Sequence, residues 1–296
     1  MTFGPVNIEG MLDSYWEYLR RRYPKNSERF AHARHASPES ATAEAITFGI
    51  LQSLSLSPEV NESMGKGGAD FLCTGSHLSP ALRRMVEASP ENRFLVEVSS
   101  LDPEAVTERT NIPNEFPEPF SGGAFGLLTQ AVCNTAKDKD KQLQDCGMPA
   151  VVAIASAHHG IGALFNKAAA QWCLVSDPQM TIPLNDPEGG RQTTNLRNSL
   201  FFRPGADRKT IVPCRQNISA ILLIAVHGEH SEIYGILHPE PAFPLNIQFF
   251  PKLPFIRVKS WPITNGLIST EWVVTAPDGL SVPHFAIERL EEGATL

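Results

Sequence analysis

The chain is predicted to fold as an α/β protein, with a mixed central sheet flanked by helices and a β extension toward the C-terminus. Three observations predict this. Segments of helical spacing alternate with extended segments through the middle of the chain. The run PAVVAIAS, Pro149 to Ser156, is continuously apolar, as a strand covered on both faces must be. Beyond Val175 the texture changes to further apolar strands and crowded prolines. A chain of 296 residues, 42% of them hydrophobic, has enough apolar surface for a substantial core.

The elements follow in order. Glu9 to Lys25 carries Met11, Tyr15, Tyr18 and Leu19 at helical spacing and ends in basic residues that suit the helix dipole. Residues 27 to 40 read as polar, ending in Ser37, Pro38 and Ser40, which are good helix-start residues ahead of a second helix from Ser40 to Leu54. A short extended piece, SLSPEV, precedes a glycine turn and a strand over Ala69 to Thr74. SPALRRMVEASPEN reads as a short helix or loop, and FLVEVSS as the next strand. Prolines 103, 113, 117 and 119 mark a long irregular connection, after which Phe125 to Asp145 turns helical.

PAVVAIAS then forms the buried strand, and ALFNKAAAQWCLV another helix. Residues 177 to 195 read as loop, ISAILLIAV and SEIYGIL as strands, and the prolines from Pro239 to Pro262 as a segment that wraps the sheet. The tail predicts a hairpin of two extended runs joined by a PDG turn. The expected organisation is an N-terminal helical segment (1–36), an α/β core (37–175), a β extension of that core (176–260) and a terminal hairpin and tail (261–296).

One strand holds an anomaly. In FLVEVSSLD, Phe94, Val96 and Val98 alternate with Leu95, Glu97 and Ser99, so Glu97 stands on a face that should be at least half covered. A buried carboxylate must reach water, find a cation or hydrogen-bond partner, or take up a proton. Asp70 begins the neighbouring predicted strand, so the two acids could converge. Two carboxylates with room for several waters suit magnesium. The plainer alternative is a turn aspartate and a sheet-edge glutamate.

Two further residues extend this constellation. Glu44 lies in one helical row with Ala41, Phe48 and Leu51, the side that should face the sheet, so it reads as a third acid or as the partner of a buried base, with a glutamate at the edge of the apolar stripe as the plainer alternative. In AKDKDKQLQDC, Lys139 shares a face with Leu128, Val132, Leu143 and Cys146, while Lys137 and Lys141 point away. An inward lysine can stabilise charge developing on a phosphoryl group or help ionise an attacking water. Snorkelling to solvent along the apolar face is its structural alternative.

With these residues in place, the order of elements resembles the PD-(D/E)XK nuclease superfamily, in which a helix, three strands, a helix and a strand (αβββαβ, restriction-endonuclease-like) form the core. The resemblance implies a D…ExK signature holding magnesium or manganese, with Asp70 as the aspartate, Glu97 as the glutamate and Glu44 as the helical acid of many members. The position of the ExK lysine is held by Ser99, which cannot supply a cation. Some members carry that lysine on the following helix, a migration that Lys139 suits, and Gln142 matches a glutamine of one branch. Within the superfamily the chain is similar to uncharacterised bacterial members. The pieces that carry this are KDKQLQDCGMPAVVAI, the segment leading into ISAILL, and ILHPEPAFPLN, where Pro239 directly follows His238.

Other signals exclude alternatives. GKGG lacks the spacing and flanking elements of a phosphate-binding loop, and His227, His230 and His238 lack zincin spacing and read as surface or turn residues. His158 and His159 receive no role, and no nucleophile elbow is present. The five cysteines contain no CxxC pair and read as small core residues. No run of about 18 apolar residues and no signal-like N-terminus occurs, so a cytoplasmic location without membrane contact is expected. Net charge of −7 makes the overall field unfavourable to nucleic acid, leaving Arg20, Arg21, Arg22, Lys25, Arg83 and Arg84 as candidate backbone contacts. The expectation is a metal-dependent nuclease acting on DNA, with an inactive binding or assembly module as the alternative and the oligomeric state left open.

Overall fold

The computed structural model describes residues 2–3, 7–61, 68–88, 92–102, 104, 107–108, 123–157, 165–176, 178–181, 191–194, 196, 199–207, 210–227, 230–263, 267–276, 281–283 and 294–295. The proline-rich connection 109–122, the first three residues of GKGG, His158 and His159, and the PDG turn lie outside them.

The chain opens with strand β1 (Thr2–Phe3) and three consecutive helices, α1 (Ile8–Arg22), α2 (Pro24–Ala36) and α3 (Pro38–Ser53). Asn7 caps α1 by accepting the Gly10 N–H, and Pro24 and Pro38 each occupy a first-turn position where a missing N–H costs nothing. Helix α2 stands where the sequence read only as polar. It has one large buried side chain, Phe30, whose ring meets Tyr15 edge-on at 4.9 Å, and its remaining faces are polar, so apolar periodicity could not reveal it.

Strands β2 (Ser57–Val60) and β3 (Phe71–Thr74) pair antiparallel, helix α4 (Pro80–Glu87) follows, and β4 (Arg93–Ser100) pairs antiparallel with β3. The long helix α5 (Gly123–Gln142) then crosses to β5 (Ala150–Ser156), which runs parallel to β4 and is buried along its whole length, as its composition requires. Left-handed backbone at Asp145 (φ 67°) and Gly147 (φ 68°) makes the tight return from helix to strand.

Helix α6 (Lys167–Val175) is followed by β6 (Pro178–Thr181) and β7 (Arg191–Thr194), an antiparallel pair within the stretch expected to be loop. Its glycines and prolines hide strands this short. A two-stranded piece, β8 (Phe202–Pro204) and β9 (Ile211–Pro213), leads to β10 (Ala220–His227) and β11 (His230–Leu237). β12 (Pro254–Val258) emerges from the proline-rich segment. It is a strand the sequence did not predict, made acceptable because Pro254 occupies its first position. Leu267–Ile268 forms β13, and β14 (Thr270–Thr275) with β15 (Ser281–Pro283) makes the expected terminal hairpin.

Among the described residues the central sheet has ten strands, in the order β15-β14-β12-β11-β10-β5-β4-β3-β2, with β1 added alongside β11. It is mixed: β4, β5 and β10 run parallel to one another, whereas β2–β3–β4 and β10–β11 are antiparallel. Strands from all four of the segments drawn from the sequence therefore share one hydrogen-bonded sheet. Gly235 in β11 is required where it stands, since a Cβ there would lie 2.1 Å from the Phe255 ring of β12.

Two apolar layers sandwich the sheet. On one face α1 to α4 pack on Phe71, Phe94, Val96, Val151 and Ala153. On the other, α5 and α6 pack on Leu95, Val152, Ile154, Ile221 and Leu223. Cys73, Cys133 and Cys173 are buried as expected, while Cys146 and Cys214 are half-buried. Among the described residues no helix is long and apolar enough to cross a membrane.

Candidate functional site

Strand pairing decides where the two acids stand. β3 and β4 register Phe71 with Val96 and Leu72 with Leu95, so the pattern continued one step sets Asp70 opposite Glu97. Alternation along β4 puts Glu97 on the side of Leu95, the face covered by α5. Both acids thus belong to the α5 side of the sheet.

Asp70 is fixed from two directions. Its backbone carbonyl accepts the Asn61 N–H at 2.9 Å, and its Oδ2 accepts the Val98 N–H at 2.6 Å. The second contact satisfies a β4 amide just past the point where β3 begins, so the side chain takes over a strand's hydrogen bond.

Glu97 is 3% exposed and receives two donors on one oxygen. Lys139 Nζ from α5 reaches Oε1, and Gln142 Nε2 donates to the same atom at 3.0 Å. Lys139 also donates to Gln142 Oε1 at 3.2 Å, and the Gln142 amide reaches the Gly68 carbonyl at 3.2 Å, tying the helix to the turn that presents Asp70. Burial of a carboxylate this deep is tolerable because an ammonium and an amide converge on it. The Cys146 thiol lies close enough to feel this charge: burial pushes its pKa up, and the Glu97 carboxylate pushes it further, with Asp145 adding to both.

Lys139 reaches inward because Val132, Ala136 and Leu143 of the same helix side are fully covered, whereas Lys137 and Lys141 are exposed. Ser99 stands on the Glu97 side of β4, opposite Ile154, and brings no charge. Lys139 supplies the cation that this strand lacks.

Glu44 is not brought to this cluster. It lies on α3, which covers the other face of the sheet, and its Oε1 accepts the Tyr15 hydroxyl at 2.5 Å with the Arg29 guanidinium at 3.9 Å. The arginine beside it is half-exposed rather than the buried base of one sequence reading. The basic residues of α1, α2 and α4 sit in that same opposite layer. Arg20 and Arg21 there pair with Glu17 at 3.2 and 3.7 Å.

His238 is a turn residue but not a surface one. It is 5% exposed, its Nε2 donates to the Cys214 carbonyl at 2.9 Å and its Nδ1 accepts the Glu240 N–H at 2.9 Å. Burial holds its pKa down at about 4, so it is a neutral structural clamp. Sequence reasoning missed the Gly68 carbonyl and the Val98 amide, backbone groups that carry no side-chain signal.

Among the described residues no group of three or more His, Cys, Asp or Glu side chains is placed to hold a metal. Asp70 and Glu97 are two carboxylates on one side of the sheet, the donor type that magnesium takes while keeping several waters. No protein-family model, curated protein or solved structure matches the chain.

Proposed function

We propose that the chain is a metal-dependent nuclease of the PD-(D/E)XK kind, acting on DNA, with Asp70 and Glu97 as the residues that would hold magnesium or manganese. The observation that carries this reading is the Lys139–Glu97 contact, buttressed by Gln142, on the side of the sheet that Asp70 shares. It supplies from α5 the cation that the ExK pattern needs and that Ser99 cannot give.

The roles follow from the contacts. Asp70 is held by the Val98 amide in one orientation, so its carboxylate arrives pre-aimed. Lys139, 22% exposed, keeps its ammonium beside Glu97 with an outlet to solvent, where it stabilises negative charge developing on a phosphoryl group. Gln142 fixes both partners and the Gly68 carbonyl. A bound divalent ion would supply Lewis-acid polarisation of the phosphodiester.

Plasmid, single-stranded DNA and RNA, each with and without manganese, test this. Manganese-dependent cleavage of DNA is expected, and Asp70→Asn or Glu97→Gln should lower it by at least about 100-fold, the scale of losing one transition-state contact. Cleavage near wild type in both variants rejects the assignment. A second reading, an inactive binding or assembly module on the same fold, is favoured by Ser99 and by the doubly held Glu97 oxygen. Calorimetry separates the two, because a dead site binds neither magnesium nor manganese at millimolar concentration.

A further inference from the structure

The contacts at the last turn of α5 concern how Lys139 is kept in register with Glu97. Packing of Leu128, Val132 and Ala136 buries the helix but gives no directional hold, since apolar contact fixes a distance better than an angle. Lys139 nonetheless has to meet one oxygen of a residue on another element.

Asp140, the next residue, stands in the last turn, where a negative charge opposes the helix dipole. Two hydrogen bonds offset this. Asn217 N donates to Asp140 Oδ1 at 3.1 Å, and Asn217 Nδ2 donates to the Asp140 carbonyl at 3.2 Å, one of the four terminal carbonyls that the helix leaves without an internal donor.

Asn217 is itself held by its neighbours. Arg215, in left-handed backbone at φ 59°, donates to the Ser199 and Leu200 carbonyls. Gln216 donates to the Glu240 carbonyl at 3.0 Å, and the Ser219 hydroxyl accepts the Ala150 N–H at 3.0 Å and donates to the Phe243 carbonyl at 2.6 Å. This segment opens β10, which pairs with β5, which pairs with β4. The end of the lysine helix is therefore bolted to the same ladder of strands that carries Glu97, and the circuit from carboxylate to ammonium is closed through the sheet.

We infer that Asn217 and Asp140 are positioning residues that set Lys139 against Glu97, an inference that rests on the functional reading above. Neither touches Glu97 in the contacts described.

The test is trace acetylation with acetic anhydride, read by mass spectrometry, with Lys137 and Lys141 as internal references in the full chain. Asn217→Ala and Asp140→Ala should raise Lys139 labelling about fivefold, the effect of one lost hydrogen bond. Asp140→Asn, whose amide oxygen still accepts the Asn217 N–H, should restore it, which separates geometry from charge. In the cleavage assay kcat should fall in the two alanine variants with KM unchanged. Unchanged Lys139 labelling in folded Asn217→Ala protein, or Asp140→Asn behaving like Asp140→Ala, overturns the inference. A wild type that cleaves none of the three nucleic acids rejects the nuclease reading, and the labelling still decides the positioning one.

Discussion

Glu44 and Glu97 are two poorly exposed carboxylates on opposite sides of one sheet, and their partners differ in kind. Glu44 is met by a tyrosine hydroxyl from α1 and, at 3.9 Å, a half-exposed arginine from α2, so it joins three consecutive helices. Glu97 is met by a lysine and a glutamine from one helix, and its register neighbour is a second acid. The first arrangement is an adhesive between local elements. The second gathers a carboxylate, an ammonium and another carboxylate from three separate elements, which is the grouping the proposed nuclease reading rests on.

Substitutions should separate the two acids by size of effect. Lys139→Met leaves Glu97 charged and buried without its ammonium, and should cost about 3–5 kcal/mol in urea unfolding. Adding Glu97→Gln should recover most of that loss, because the uncompensated charge is gone. Failure of the second change to restore stability would mean that Lys139 acts mainly through packing.

A group belonging to neither acid gives an intermediate effect and a pH signature. His238 stays neutral in the fold, facing the Cys214 carbonyl, the Glu240 amide and carboxylate, the Arg215 guanidinium and the Phe201 ring. An unfolded chain takes up this proton below about pH 6.5. The folded chain does so only near about 4. Its contribution is thus complete above pH 6.5 and is lost as pH falls through 4, on the order of 3 kcal/mol in all. His238→Gln should flatten that slope in melts taken from pH 7 to 4.

Smallest is the change at the other acid. Glu44→Ala should cost about 1–2 kcal/mol, the scale of a lost buried hydrogen bond. Manganese affinity and cleavage should stay at wild-type values. A loss of metal binding in that variant would erase the distinction between the two carboxylates.

Much of this was readable in the sequence because side-chain period reports orientation. Alternation in FLVEVSS put Glu97 and Ser99 on one face, and helical phase turned Lys139 inward while leaving Lys137 and Lys141 outside. The same reasoning set Glu44 on the covered side of its helix, which is where it lies. What period cannot report is which face of the sheet a helix covers, so Glu44 was grouped with acids on the far side. Helix α2 and strands β6, β7 and β12 escaped for a related reason: each is short, polar or proline-bearing, and exists through pairing or packing with residues distant in sequence. The pieces ISAILL and ILHPEPAFPLN, read as marks of kinship, are tied together by Ser219 and His238, since the His238 N–H bonds the Ser219 carbonyl at 3.0 Å.

The shared ladder of β4, β5 and β10 bears on how the molecule could be divided. β5 hydrogen-bonds to β10 from Val151–Ala220 to Ser156–Ala225, and its sequence AVVAIAS contains neither a charge nor a proline to discourage a stranger. A chain cut after Val175 would bare that edge to the solvent and invite self-association in place of the missing strand. Solubility of the half that holds Asp70, Glu97 and Lys139 is thus on loan from the half that holds none of them.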